Sequence, residues 1–261
     1  MSTIGQAPIA PASVANDLTV ADLRAALVAG WGDFQAHPIF GLFFSAVFAI
    51  TGMFLYYALF VLGELFWLIP AAAGFPLLAP FAAVGLYEVS RRREAGLPIS
   101  WRAVLGALRG HGDDQIISMG VILFVAFEFW LMVAHGIFAI FLSESGVGSE
   151  MALLRTETGL IMLLVGSIVG GLMALVFYAI TVVSLPMLVD RKVDFITAII
   201  VSLATIRSNR SVLLTWAIMI AIALFVAMLP LFLGLFIILP VLGHATWHLY
   251  RRVVQPAPGT A

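Results

Sequence analysis

Residues Ile116–Leu142 read IISMGVILFVAFEFWLMVAHGIFAIFL. No Lys, Arg or Asp interrupts them, and the run exceeds the roughly 20 helical residues that cross a hydrocarbon core. Lipid offers the backbone no hydrogen-bond partner and the stretch shows no strand alternation, so it must be a helix. Five more stretches qualify: Ile39–Leu62, Leu65–Leu86, Gly159–Leu185, Val212–Leu229 and Leu231–Leu249. The expected fold is therefore all-α: a polytopic membrane protein with six transmembrane helices in three hairpins.

Composition agrees. Of 261 residues, 62% are hydrophobic and 10% charged, whereas about a quarter of a soluble domain is charged. A soluble globular surface is excluded. A net charge of −1 leaves no basic footprint for nucleic acid. The absence of Cys rules out disulfides, thiolate metal sites and Fe–S clusters. Residues 1–17 are rich in Ala, Pro and Ser and read as a disordered or extended tail. They lack the basic start and apolar core of a secretory signal, so targeting falls to the first membrane helix. A single domain is expected over 18–252, with a C-terminal tail over 253–261.

Lys and Arg set the orientation. With the N-terminus inside, Arg24, Arg91, Arg92, Arg93, Arg102, Arg109, Arg191, Lys192, Arg207, Arg210, Arg251 and Arg252 are cytoplasmic, and only Arg155 lies outside. Both termini are then cytoplasmic. The inner segments predict three short amphipathic interfacial helices. Val20, Leu23, Leu27, Val28 and Trp31 share a face of the first, with Thr19 and Asp22 as a capping box. Trp101, Val104, Leu105 and Leu108 do so after Ser100. Phe195, Ile196, Ile199, Ile200, Leu203 and Ile206 do so after Asp194. An interfacial helix followed by a membrane hairpin, used three times, is the suggested repeat.

Ionisable groups at membrane depth are the first candidates for chemistry, since insertion costs about 2.5–3.5 kcal/mol for Asp, Lys or Arg at mid-helix. Glu128 is the clearest, as a proton or cation site or as a carboxyl bonded to a neighbouring helix. His135 lies two turns further on the same face. His244 and His248 share a face of the last span, and a rise of about 1.5 Å per residue puts Glu128 and His244 at similar depth. The two are expected to meet if the third and sixth spans are neighbours. A haem between His135 and His244 is disfavoured because the two differ in depth by about 10 Å on that rise. His37 and His111 lie at the inner face. No cofactor and no metal site is expected.

Pro70, Gly74, Pro76 and Pro80 bend or break the second span, a device of some transporters. Glu88 is placed to pair with Arg91. Gly166 and Gly170 have the spacing of close helix packing. Arg91, Arg92, Arg93, Arg191, Lys192, Arg251 and Arg252 form a basic inner ring suited to anionic lipid headgroups. No catalytic motif appears, so the chain is not expected to be an enzyme.

Three segments carry a resemblance: ALVAGWGDFQAHPIFGLFF from Ala26, GFPLLAPFAAVGLYEVSRRREAG over Gly74–Gly96, and LPMLVDRKVDFITAIIVSLATIRSN over Leu185–Asn209. Together they make the chain resemble an uncharacterised bacterial family of integral membrane proteins, the domain-of-unknown-function family numbered 2189. The likeness runs from about Leu18 to Arg252, and GLYEVSRR is its distinctive part. Some members are labelled as cytochrome c oxidase subunits. The resemblance implies a bacterial inner-membrane location and a non-catalytic accessory or assembly subunit beside a larger respiratory complex. The chain has too few intramembrane histidines for an oxidase core and no Cys for a copper-binding domain. The rival expectation is a small transporter or channel with its ion site at Glu128.

Overall fold

The computed structural model describes residues 13–58, 61, 79–109, 114–145 and 150–255. The elements are β1 (Ser13–Val14), α1 (Val20–Ala36), α2 (Pro38–Tyr57), α3 (Ala79–Glu94), α4 (Trp101–Gly106), α5 (Gln115–Ser145), α6 (Glu150–Leu153), α7 (Glu157–Thr181), α8 (Ser184–Asp190), α9 (Phe195–Ser208), α10 (Arg210–Met228), α11 (Leu235–Val253) and β2 (Val254–Gln255). A 3-10 turn, Ala107–Arg109, follows α4. The chain is all-α apart from the antiparallel pairing of β1 with β2.

Four helical segments are long and apolar enough to cross a membrane: Pro38–Tyr57, Gln115–Glu144, Glu157–Asp190 and Arg210–Met228. They coincide with the first, third, fourth and fifth expected spans. Most of the second, including Pro70, Gly74 and Pro76, lies outside the described residues; its inner end is α3. The sixth expected span is α11, which is not among the four. Its last three turns carry His244, His248, Arg251 and Arg252, and it forms the axis of the bundle instead of an outer wall. Leu235, Leu239, His244, Ala245, Trp247 and Tyr250 are all buried. Helices α1, α2, α3 and α10 pack around it.

The small residues of α11 and its partners explain how close that packing is. A Cβ on Gly30 of α1 would stand 2.6 Å from the Ala245 nitrogen and 2.8 Å from the Val241 oxygen. Gly41 of α2 makes room for Pro240 and Phe34, and Gly243 for Leu86. Every described side chain of α3 from Ala83 to Ser90 is buried.

The expected helix starts are all present. Thr19 and Asp22 form a capping box on α1. Ser100 caps α4 and Asp194 caps α9. The expected faces are only partly right. On α1 the inward face is Leu23, Ala26, Gly30, Asp33 and Phe34, whereas Val20, Val28 and Trp31 are exposed. Close approach to α11 selects the small residues over the large ones. On α9 the buried positions are Ala198, Ser202 and Thr205, while Ile196 and Ile200 are exposed. Ser202 is drawn inward because α7 ends beside it. Its hydroxyl donates to the Ala179 carbonyl at 2.7 Å and accepts from the Val183 N–H at 3.3 Å, satisfying backbone groups that a helix end leaves unpaired.

The repeat has a partial structural counterpart. Helices α1 and α2 break at His37 (φ −138°, ψ 58°), and α9 and α10 break at Asn209 (φ −129°, ψ 40°). Both breaks keep an N–H bond to the carbonyl four residues back, at 3.1 and 3.0 Å. The middle unit differs, with α4 only six residues long. Asn209 also anchors the N-terminal segment: its amide donates to the Ala15 carbonyl at 2.7 Å and its oxygen accepts from the Leu18 N–H at 3.2 Å. Ser13–Val14 and Val254–Gln255 pair with each other, which brings the two ends of the described chain together.

The turn between α10 and α11 holds Leu231 and Phe232 at φ 50° and 65°. That left-handed backbone costs roughly 1–2 kcal/mol per non-glycine residue. It swings the Phe232 ring onto α2, where Gly52 leaves room: a Cβ there would come within 2.4 Å of the ring.

Candidate functional site

One end of the bundle, the inner one in the expected orientation, gathers a buried polar cluster from three helices. Asp33 comes from α1, Ser90 and Arg93 from α3, and His244 and His248 from α11. Asp33, Ser90 and His244 are enclosed, and the His248 side chain is 25% exposed. Ser90 Oγ lies 2.5 Å from Asp33 Oδ2 and 2.8 Å from His244 Nδ1. His248 Nε2 lies 2.9 Å from the same Asp33 oxygen. Arg93 bonds the other carboxylate oxygen, Oδ1.

One proton per hydroxyl fixes the roles. Ser90 donates to the carboxylate, which accepts only, so it must accept from His244, whose Nδ1 therefore carries hydrogen. Burial alone pushes the Asp33 carboxyl up. The bonds from His248, Ser90 and Arg93 outweigh it and hold the group well below its ordinary value of 3.8.

The order of these groups decides what they can do. Acyl-transfer chemistry needs an imidazole between hydroxyl and carboxylate, taking the hydroxyl proton. Here the hydroxyl stands between imidazole and carboxylate, and the His244 Nδ1 atom beside it gives hydrogen instead of receiving it. The arrangement activates no nucleophile. It is a polar clamp across α1, α3 and α11. Among the described residues no group of three or more His, Cys, Asp or Glu is placed to hold a metal ion.

A second layer of ion pairs surrounds the clamp. Glu88, itself buried, takes two bonds from Arg91 at 2.7 and 2.8 Å and one from Arg92 at 2.6 Å. Arg251 joins Glu94 and Asp190, each at 3.1 Å. Tyr250 donates to Asp190 at 2.8 Å and Trp247 to Glu94 at 3.1 Å. Arg252 holds Asp22 at 3.0 Å and Asp17 at 3.2 Å. Arg191 bonds the Val254 carbonyl at 3.2 Å and stands 3.5 Å from Asp190.

Of the seven residues expected at lipid headgroups, Arg91, Arg92, Arg93, Arg191, Arg251 and Arg252 each bond to other residues of the chain, with Arg93 and Arg251 still exposed. Lys192 is exposed. The Glu88–Arg91 pairing expected from spacing is present. Exposed cations without an ion pair to a described residue are Arg24, Arg102, Arg109, Lys192, Arg207 and Arg210, mostly on or beside α1, α4 and α9, together with Arg155 just before α7.

The membrane-depth candidates are placed apart. Glu128 is exposed on α5 and has no hydrogen bond or ion pair to a described residue, so it does not meet His244. His135 is half-buried, with Nδ1 2.7 Å from the Leu131 carbonyl oxygen. Gly170 does serve packing: a Cβ there would fall 2.8 Å from the Trp130 ring of α5. Gly166 faces open space instead.

Two apolar cavities open at membrane depth. The larger, about 730 Å³, lies between α3, α7, α10 and α11, against Leu175, Phe177, Ile218, Leu224, Phe225 and Leu242. The smaller, about 630 Å³, lies between α5, α7 and α10, against Trp130, Phe138, Met162 and Gly166. Glu128 lines neither of them.

The distinctive GLYEVSRR stretch therefore supplies both Glu88 and Ser90 to the inner end. Residues 68–190 match DUF2189, described as a predicted integral membrane protein. The matched stretch contains α3 through α8 and hence two of the five clamp residues, Ser90 and Arg93; Asp33, His244 and His248 lie outside it. No curated protein and no solved structure matches the chain.

Asp33 and Ser90 were not singled out by sequence reasoning. Asp33 lies ten residues after Leu23 and three after Gly30, on the face that turns inward, and that periodicity was the available signal. Ser90 carried none, since a lone serine between a span and an arginine run reads as a boundary residue.

Proposed function

We propose that the protein is a non-catalytic accessory or assembly protein, which holds an apolar segment of a larger membrane protein in the groove between α7, α10 and α11. The observation that carries this reading is the groove itself: about 730 Å³, open to the membrane and walled almost wholly by aliphatic and aromatic side chains. The outer spans bury little of themselves within the chain: 22%, 11% and 17% of the apolar windows of Gln115–Glu144, Glu157–Asp190 and Arg210–Met228, against 39% for Pro38–Tyr57. Apart from His244 Nε2, which has no hydrogen-bond partner among the described residues, the polar groups of the clamp are bonded to one another, which supports a scaffold over an enzyme.

The seating follows from the same residues. Arg24, Arg102, Arg109, Lys192, Arg207 and Arg210 mark the cytoplasmic face among anionic headgroups of a bacterial inner membrane. Exposed Trp31 and Trp101 stand at that interface, and both termini are cytoplasmic. A carrier built around Glu128 draws no support from the two cavities described, since that residue lines neither.

Purification from native membranes in mild detergent tests the reading. The expected result is a stable complex with one larger membrane protein, and an absorption spectrum showing haem if that partner is of the respiratory class. Recovery of the chain with lipid alone would contradict an accessory role.

A further inference from the structure

Helix α5 presents two opposite faces. Ile116, Met119, Leu123, Trp130 and Phe138 are buried against the rest of the chain. On the other side stand Ile117, Val121, Phe124 and Glu128, all exposed. The gaps of four, three and four residues average about 3.7, close to the helical period, so the four residues form one stripe along the helix. Val125 (61% exposed) and Met132 (63%) flank it.

Glu128 closes this stripe near the middle of α5, about 20 Å along a helix of some 45 Å at the usual rise. A carboxyl group at that depth, among exposed apolar side chains and with no bond to a described residue, calls for a polar partner at its own depth.

We propose that α5 is a self-association surface. Two copies of the chain pair along Ile117, Val121, Phe124 and Glu128 about a two-fold axis parallel to the membrane normal, and the two Glu128 carboxyls hydrogen-bond to each other. A second copy fits better than any other occupant because such an axis preserves depth: each Glu128 stands level with its twin, and where the two helices cross at that level one carboxyl donates its hydroxyl and the other accepts. A single polar residue in an otherwise apolar stripe is also the device by which paired helices fix register and copy number. The groove between α7, α10 and α11 is built from other helices, so self-association leaves it free.

The chain has no Cys, so single cysteines report contacts directly in native membranes. Phe124→Cys and Val121→Cys are expected to give an oxidised dimer at least fivefold above Ile168→Cys, which is equally exposed on α7 (58% and 59% against 56%). Adding Glu128→Leu to Phe124→Cys should cut the dimer about tenfold, while Glu128→Gln, whose amides pair in the same way, should retain most of it. Dimer yields at Phe124 no higher than at Ile168, cross-links from Phe124 to a different protein, or an unchanged yield with Glu128→Leu would each overturn the proposal.

Discussion

Asp33→Ala is expected to cost about 3–5 kcal/mol, the usual penalty for removing one partner of a buried ionic cluster. Three donors lose their acceptor at once: Ser90, His248 and Arg93 all end on this carboxylate. Helix α1 then loses its buried polar attachment to α3 and α11 and keeps the Asp22–Arg252 pair at its start. Thermal unfolding in detergent, followed by tryptophan fluorescence, should show the transition displaced strongly downward. Asp33→Asn keeps the shape and one acceptor oxygen and should fall between Ala and wild type. The pH dependence has a definite sign. The folded carboxyl is held below its ordinary 3.8, so its stabilisation is complete above about pH 4 and is lost as pH falls through the lower, folded value. Wild-type stability should therefore decline on acidification below pH 4, and the Asp33→Asn variant should lack that component.

Gly30→Leu is expected to cost about 3 kcal/mol, at the upper end of overpacking penalties. The atoms a Cβ would meet, the Ala245 nitrogen and the Val241 oxygen, are both backbone. No side-chain rotation relieves them, so α1 and α11 must separate, and the clamp three residues away loosens with them. Gly30→Ala should show a smaller loss of the same kind. Gly32→Ala is the control: its nearest neighbour is an Arg93 nitrogen at 3.9 Å, ordinary contact. Comparing the three variants by thermal unfolding separates close approach from helix propensity, since replacing glycine by alanine within a helix favours it by about 0.8–1.0 kcal/mol.

Long apolar helices and their capping residues were legible from the chain alone. Twenty-odd consecutive apolar residues allow one conformation in lipid, and Thr19, Ser100 and Asp194 announce helix starts by local hydrogen bonding. What was not legible is which helices surround which. The final helix reads as another lipid-facing span because hydropathy counts residues and ignores neighbours; only the convergence of Gly30, Gly41 and Leu86 on α11 makes it an axis. The intrachain pairing of the arginines is not legible for the same reason. Their partners Asp22, Asp33, Glu94 and Asp190 lie up to 230 residues away in sequence, and pairing over that separation is a property of the fold. Glu128 was located at the centre of its span from sequence, but depth along one helix does not say which way a side chain faces. The expected meeting with His244 failed on that point.

Site-specific photo-cross-linking from the groove tests the account most directly. A photoreactive phenylalanine analogue replacing Ile218, which is 60% exposed on the groove wall, is to be compared in native membranes with one replacing Ile50 on α2, 63% exposed. The account predicts that position 218 attaches to one membrane protein, the same one retained in mild detergent, and that position 50 attaches to lipid. Lipid adducts alone at position 218, as at position 50, would contradict it.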